Sequence, residues 1–348
     1  MYTLESFCDS IWGIGYREVK RRINKDDYKT FYIPKKNGFR TINYLDENST
    51  LQILQKKLLI FLEKQCIPVC VKGFVKGESY LTFLSEHVNA NYYLRIDIKS
   101  FFPSITEKHI EKSLSTIISS ANAEEKSNII RLIRDIVTLD GTLPQGACTS
   151  PAISNIVMSR LDQRVLKYCQ LFGIRYSRYA DDLVFSSIDF DFQNKPWFLK
   201  KIRYILLTDC FKLNYSKIKY GINDLRINGY VVSSDGIRLS RSKLSDIRHV
   251  ISYVKNNCEL LKQGNSADFL SGINTLVLNH RDLIKNPFVS VYQVQQYMSG
   301  QRAFLLSVIQ SNLSNADASS NVKLQHTISK LESQIICIAK CLVDVKKK

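Results

Sequence analysis

Ile174-Arg175-Tyr176-Ser177-Arg178-Tyr179, then Ala180-Asp181-Asp182, then Leu183-Val184-Phe185-Ser186-Ser187 run on without a break. This stretch predicts two short strands joined across a turn that carries two adjacent acids. Within a strand, neighbouring side chains point to opposite faces; at a turn that alternation breaks down, so both acids can serve one site. A third acid has a related setting. From Tyr92 to Ile98 the chain alternates, with Leu94 and Ile96 on one face and Arg95 and Asp97 on the other, which predicts a half-buried strand with an acid on its polar side.

An Asp-Asp pair alone is most often a solvated turn. If the strands bring Asp97 beside Asp181 and Asp182, the carboxylates repel one another and a divalent cation relieves the repulsion. Oxygen-only ligands select hard ions, with Mg2+ foremost and Mn2+ as a substitute, and leave coordination positions for water and phosphate. Two such ions about 4 Å apart would suit nucleotidyl transfer, because one activates an attacking hydroxyl and the other steadies a departing pyrophosphate.

Before these blocks, Tyr28 to Pro34 reads as an aromatic, β-branched strand and Phe39 to Asn43 as its return, with Lys35-Lys36-Asn37-Gly38 as the hairpin turn. Helices are predicted from about Thr50 to Gln65, with Leu51, Leu54, Leu58 and Phe61 on its apolar face, over about 107–118 and 124–137, and from about Pro151 to Leu171. After Leu239 the pattern turns helical, with Leu244, Ile247, Ile251 and Val254 on one face. A polar linker, Ser311 to Asn321, precedes a last helix whose Leu324, Ile328, Leu331, Ile335, Ile338, Leu342 and Val345 form a heptad seam. Such a seam can pack on the chain's own body or on another chain, and association with a partner or a second copy is expected.

The 348 residues carry 49 Lys plus Arg against 32 Asp plus Glu, a net +17 that points to a polyanionic partner. With 45% apolar residues the chain is a folded globular protein of two or three subdomains. The sequence shows no lipidation signal, no secretory leader and no run approaching a membrane span, so a cytoplasmic protein without membrane attachment is expected. Nine scattered cysteines, none in C-x-x-C, read as ordinary reduced, buried thiols. Cys66 and Cys70, like Cys337 and Cys341, are spaced i,i+4 but have no histidine nearby to complete a zinc site.

Taken together, the blocks resemble the reverse transcriptase family. Leu94-Arg95-Ile96-Asp97-Ile98-Lys99-Ser100-Phe101-Phe102-Pro103 looks like its first catalytic block, Leu143-Pro144-Gln145-Gly146 with Ser150-Pro151 like its second, and Tyr179-Ala180-Asp181-Asp182 matches Y-x-D-D. Ile33 to Ile42 is similar to the fingers hairpin of group II intron and retron enzymes. Gly73-Phe74-Val75-Lys76-Gly77-Glu78-Ser79, followed by His87, looks like the retron pattern ahead of the first catalytic strand. Phe83-Leu84-Ser85-Glu86-His87 departs from the usual N-A-x-x-H, and Ile227-Asn228-Gly229 stands where retron enzymes carry V-T-G. Other defence-associated bacterial reverse transcriptases are the rival within the family.

The resemblance implies an α+β right-hand polymerase fold, with fingers at 1–88, a palm with an antiparallel sheet at 89–238, a helical thumb at 239–310, and 311–348 as linker and amphipathic helix. It implies metal ligation by Asp97, Asp181 and Asp182, with Ile98 beside them, and nucleotide contacts from Lys35, Arg40, Phe102, Gln145, Gly146 and Tyr179. Lys35 and Arg40 would clamp the triphosphate. Phe102 would wall off a 2′ hydroxyl and favour dNTPs. Gln145 would reach the sugar or base while Gly146 allows close approach, and Lys217 would protonate the pyrophosphate. The expected activity is RNA-directed DNA synthesis on a dedicated structured non-coding RNA, giving a cDNA product in anti-phage defence with an effector protein. Template-independent or protein-primed synthesis is one alternative, and a non-catalytic RNA-binding scaffold is another. With so few residues after about 310, no maturase region, nuclease or RNase H is expected.

Overall fold

The computed structural model describes residues 1–34, 38–279, 287–311 and 318–345. By internal contacts the chain divides into two compact units: residues 1–86 with 92–220, and residues 87–91 with 221–348. These divisions fall elsewhere than 88, 238 and 310.

The first unit begins with α1 (Leu4–Trp12) and α2 (Tyr16–Arg21), followed by a hairpin of β1 (Tyr28–Pro34) and β2 (Phe39–Leu45), then α3 (Thr50–Leu62) and α4 (Tyr80–Ser85). Thr3 caps α1 with a reciprocal Ser6 box, and Ser49 caps α3 through the Gln52 N–H. Leu51, Leu54, Leu58 and Leu62 are buried on α3, so Leu62 rather than Phe61 completes the apolar stripe. Trp12 donates from Nε1 to the Leu54 carbonyl at 3.0 Å, which satisfies its one polar atom inside the core.

Next come β3 (Tyr92–Asp97), α5 (Phe101–Ser104), α6 (Glu107–Ile117), α7 (Ala123–Val137), α8 (Ser150–Gln170), β4 (Arg175–Tyr179), β5 (Asp182–Ser187), α9 (Pro196–Leu207) and β6 (Lys219–Ile222). The sheet runs in the order β4-β5-β3-β6, antiparallel across both β4–β5 and β3–β5. The expectation of a half-buried β3 is corrected: residues 93–97 are all buried, Arg95 and Asp97 included. Their polar face is covered because its charges find partners inside the protein. Helix α8, with Pro151 in its first turn, packs on β4 and buries Met158, Leu161, Val165 and Cys169 in a core shared with Phe185, Phe198 and Ile202. Each such side chain contributes about 1.5–3 kcal/mol by leaving water.

In the second unit β7 (Asp224–Ile227), β8 (Tyr230–Ser233) and β9 (Gly236–Leu239) form an antiparallel sheet. Asn228 and Gly229 both sit at positive φ, +48° and +86°, the two-residue turn that Asn-Gly favours. Helices α10 (Arg241–Lys262), α11 (Ser266–Asn279), α12 (Val291–Ser311) and α13 (Ala318–Val345) follow.

The last helix starts inside the stretch read as linker. Its seam does not await a partner: Leu324, Ile328, Leu331 and Ile338 are buried where α13 packs on α10 and α12, and Ile335 is half-buried. This corrects the expected association through 322–348, because the apolar stripe is consumed by the unit's own helices; the Leu342 and Val345 side chains lie outside the described set. The cysteine expectation also changes, since Cys258 and Cys337 are joined as a disulfide and Cys66 and Cys210 are exposed. No described helix is long and apolar enough to cross a membrane.

Candidate active site

Asp97 and Asp182 are directly opposite one another in the β3–β5 register. The Ile98 N–H donates to the Asp181 carbonyl at 3.0 Å, which ties the end of β3 to the turn of the β4–β5 hairpin. On its other side the Asn214 N–H donates to the Asp97 carbonyl at 2.8 Å and the Lys99 N–H to the Lys212 carbonyl at 2.8 Å, bridging Ile98 to Leu213. Residues more than eighty positions apart thus share one strand end.

Each acid has a distinct environment. Asp182 accepts from Arg95 Nε and Nη2 at 2.9 and 2.7 Å, and Asp97 from Lys217 Nζ at 2.6 Å. Asp181 lies between these pairs. Burial, then the neighbouring Asp182 and Asp97 carboxylates, push its carboxyl above the ordinary range, against its backbone hydrogen bond and Lys217. Arg95 and Lys217 thus each hold one of the carboxylates. An all-carboxylate set whose middle member is destabilised as an anion fits hard divalent ions.

The turn is held from below. Ala180 adopts a left-handed φ of +56°, which costs a residue with a Cβ about 1–3 kcal/mol. Arg178, fully buried, donates from Nη1 to the Ala180 carbonyl at 3.0 Å and pairs with Asp162 on α8 at 2.8 Å; Tyr176 donates its hydroxyl to the same carboxylate at 2.7 Å. Burial works against the Arg178 charge, but Asp162 overrides it and holds the guanidinium above its ordinary range. Asn155 accepts from Arg178 and donates to the Gly73 carbonyl at 2.9 Å. Gly73 is needed because a Cβ there would stand 2.6 Å from the Ala180 nitrogen. Sequence spacing gives no hint of this network beyond Gly73 itself, since its members come from three separate elements.

Tyr179 is half-buried among the rings of Tyr80, Phe83 and Phe74, at centroid distances of 5.0, 5.7 and 6.1 Å. Phe102, also half-buried, packs at 5.3 Å from Phe101 and 6.4 Å from Phe74, so Phe74 joins the two candidate nucleotide contacts; it was not singled out from sequence. The Gln145 carbonyl accepts the Asn43 N–H at 2.9 Å. Gly146, at φ +129°, would set a Cβ 2.5 Å from the Asn43 oxygen. The close approach this glycine permits in the structure is to β2. Arg40 is exposed on β2 opposite Ile33, and Lys35 lies outside the described residues.

Residues 33–222 match the family model described as reverse transcriptase (RNA-dependent DNA polymerase). The chain belongs to this family, whose members generally use divalent metal ions. Among curated proteins it is similar to the retron Mx162 reverse transcriptase of Myxococcus xanthus, 27% identical over 296 residues (76% of this chain, 60% of that protein). It is also similar to the retron Ec86 reverse transcriptase of Escherichia coli, 29% identical over 191 residues (52% and 55%). The chain thus spans about half of the curated relatives it matches. Among solved structures, a telomerase from Candida albicans in complex with a telomeric RNA fragment aligns with 90% of this chain and 66% of that one, at a TM-score of 0.46 and 12% identity.

Proposed function

We propose that this protein is a retron-type RNA-directed DNA polymerase that copies a dedicated structured RNA into DNA and acts with an effector protein in anti-phage defence. The observation that carries the polymerase reading is the meeting of Asp97, Asp181 and Asp182 at one strand end, each with a different neighbour. The retron reading rests on the likeness to the Mx162 and Ec86 proteins. In this reading 1–88, 89–238 and 239–310 serve as fingers, palm and thumb.

The three aspartates would hold Mg2+, which when bound supplies activation of a primer 3′ hydroxyl and charge stabilisation of the departing pyrophosphate. Arg95 orients Asp182, and Lys217, half-exposed beside Asp97, offers a proton donor on the open side of the site. Arg40 on the fingers hairpin, and Lys35 by its place in the sequence, would grip the triphosphate. Phe102, packed against Phe74 and Phe101, would close the space a ribose 2′ hydroxyl needs. The net +17 suits a structured RNA whose phosphates dominate affinity.

The test is the Asp181→Asn, Asp182→Asn double variant, assayed with the RNA that co-purifies with the wild type. DNA product is expected to fall by at least about 10³-fold while RNA binding persists. Unchanged synthesis would refute the assignment. The product sequence separates the rivals, because a homopolymer or a DNA unrelated to the bound RNA would mean template-independent or protein-primed synthesis. No DNA from the wild type under any priming condition would mean a scaffold.

A further inference from the structure

Away from the acids, α10 and α13 bring together three cysteines that no polymerase chemistry uses. Cys258 comes from α10; Cys337 and Cys341, one helical turn apart, come from one face of α13. The three sulfurs all lie within 4.8 Å of one another, and Cys258 and Cys341 are buried while Cys337 is half-buried. Cys258 and Cys341 approach to 3.8 Å between sulfurs. A tetrahedral ion with metal–sulfur bonds of about 2.3 Å separates its sulfur ligands by about 3.8 Å. The Cα atoms of Cys258 and Cys337 are 7.3 Å apart, wider than the roughly 4.4–6.8 Å that disulfides usually span. Thiolates that share an ion do not need the closer approach.

We propose that Cys258, Cys337 and Cys341 form a structural site for a thiophilic d10 cation, Zn2+, in the reduced protein. Three soft sulfur ligands favour Zn2+ or Cu+ over the hard ions suited to the aspartates, so the two sites discriminate by donor type. Water takes the fourth position of the tetrahedron. The Cys258–Cys337 disulfide is first reduced to two thiols by a dithiol reductant, which is itself oxidised to a disulfide; binding then displaces the three thiol protons to solvent and leaves three metal–sulfur bonds, with no further change of oxidation state. The ion would clip two helices across 79 residues of sequence, where the entropy saved by closing a long loop is greatest.

The experiment uses the full chain isolated under reducing conditions without chelator. Total metal is measured by mass spectrometry, and Zn2+ release is followed with a chromogenic indicator as a mercurial titrates the thiols. One Zn2+ per chain is expected in the wild type and in the exposed-cysteine control Cys66→Ser, with at least a tenfold loss of retained metal in Cys258→Ser, Cys337→Ser and Cys341→Ser. Because a serine variant could unfold the helices, the wild type supplies an independent readout. Removing the metal with a chelator should speed alkylation of these three cysteines by N-ethylmaleimide at least tenfold and leave Cys66 and Cys210 unchanged, and Co2+ exchange should give thiolate-to-metal charge transfer with tetrahedral visible bands.

A wild type without stoichiometric metal, or one whose three cysteines alkylate at the same rate before and after chelation, overturns the proposal. So does a Cys258–Cys337 cross-linked peptide in the freshly isolated reduced chain, or metal retained after all three are replaced.

Discussion

Two hairpins carry most of the candidate site, and they are built on opposite plans. In β4–β5 nearly every residue is buried, and the turn rests on Arg178, Asp162, Asn155 and Gly73. In β1–β2 most residues of both strands are exposed, and it presents Phe31, Tyr32 and Phe39 to solvent. Groups proposed to hold ions at fixed separations sit where packing over-determines the backbone. Groups proposed to grip a substrate that arrives and leaves sit on a ribbon that few contacts constrain. The contrast teaches that rigidity here is distributed by task, even though both regions are antiparallel hairpins of similar length.

The comparison breaks most readily at Asp162. Asp162→Ala leaves the Arg178 charge buried without its carboxylate, and chemical denaturation should show a loss of about 3–5 kcal/mol. A loss near zero would mean that the buried hairpin is not held by this pair. Gly73→Ala comes next. The added methyl must push on the Ala180 backbone, at a cost of about 1–3 kcal/mol. Displacement of Asp181 by even about 1 Å should reduce DNA synthesis by about 100-fold, measured as kcat at saturating dNTP.

On the exposed hairpin the expected balance reverses. Arg40→Ala should leave stability within about 0.5 kcal/mol. It should raise the dNTP KM about tenfold or more through the lost charge-assisted contact. An unaltered KM would remove Arg40 from the nucleotide site.

The smallest effect concerns pH. The Asp181 carboxyl is raised in the folded protein by burial and by its acidic neighbours, so above that raised value it is ionised in both states and costs stability. As pH falls through it toward the ordinary carboxylate range, that cost is relieved. In EDTA, Asp181→Asn should therefore be more stable than the wild type at neutral pH, with the gap closing on acidification. A constant gap would show that the carboxyl is not shifted.

How much of this the sequence discloses depends on how local the cause is. The strands around Asp97 and Asp181–Asp182, the fingers hairpin and the long helices were legible, because alternation, Asn-Gly and apolar stripes act over a few residues. The polar face of β3 was misjudged as solvent-facing, since Arg95 finds its partner 87 positions away. Gly146 could be read as a place of close approach, but not toward what. The seam of α13 looked unpartnered only because the faces of α10 and α12 that cover it carry no signature of their own. The meeting of Cys258 with Cys337 and Cys341 depends on that same packing. The class of chemistry could be read from three short blocks; the scaffolding beneath them could not, since it comes from long-range neighbours.

The bond from Asn43 to Gln145 fixes the β1–β2 ribbon near its base, beside the Lys29–Asp46 ion pair. From Asn43 to Phe39 an extended strand covers about 14 Å, so a tilt of about 10° at that bearing sweeps the far end by about 2.5 Å. Such an arm would turn a small adjustment at its base into a much larger displacement at Phe39. Its fulcrum is the loop that carries Gln145, so whatever fills the space beside that loop also sets the angle of the arm.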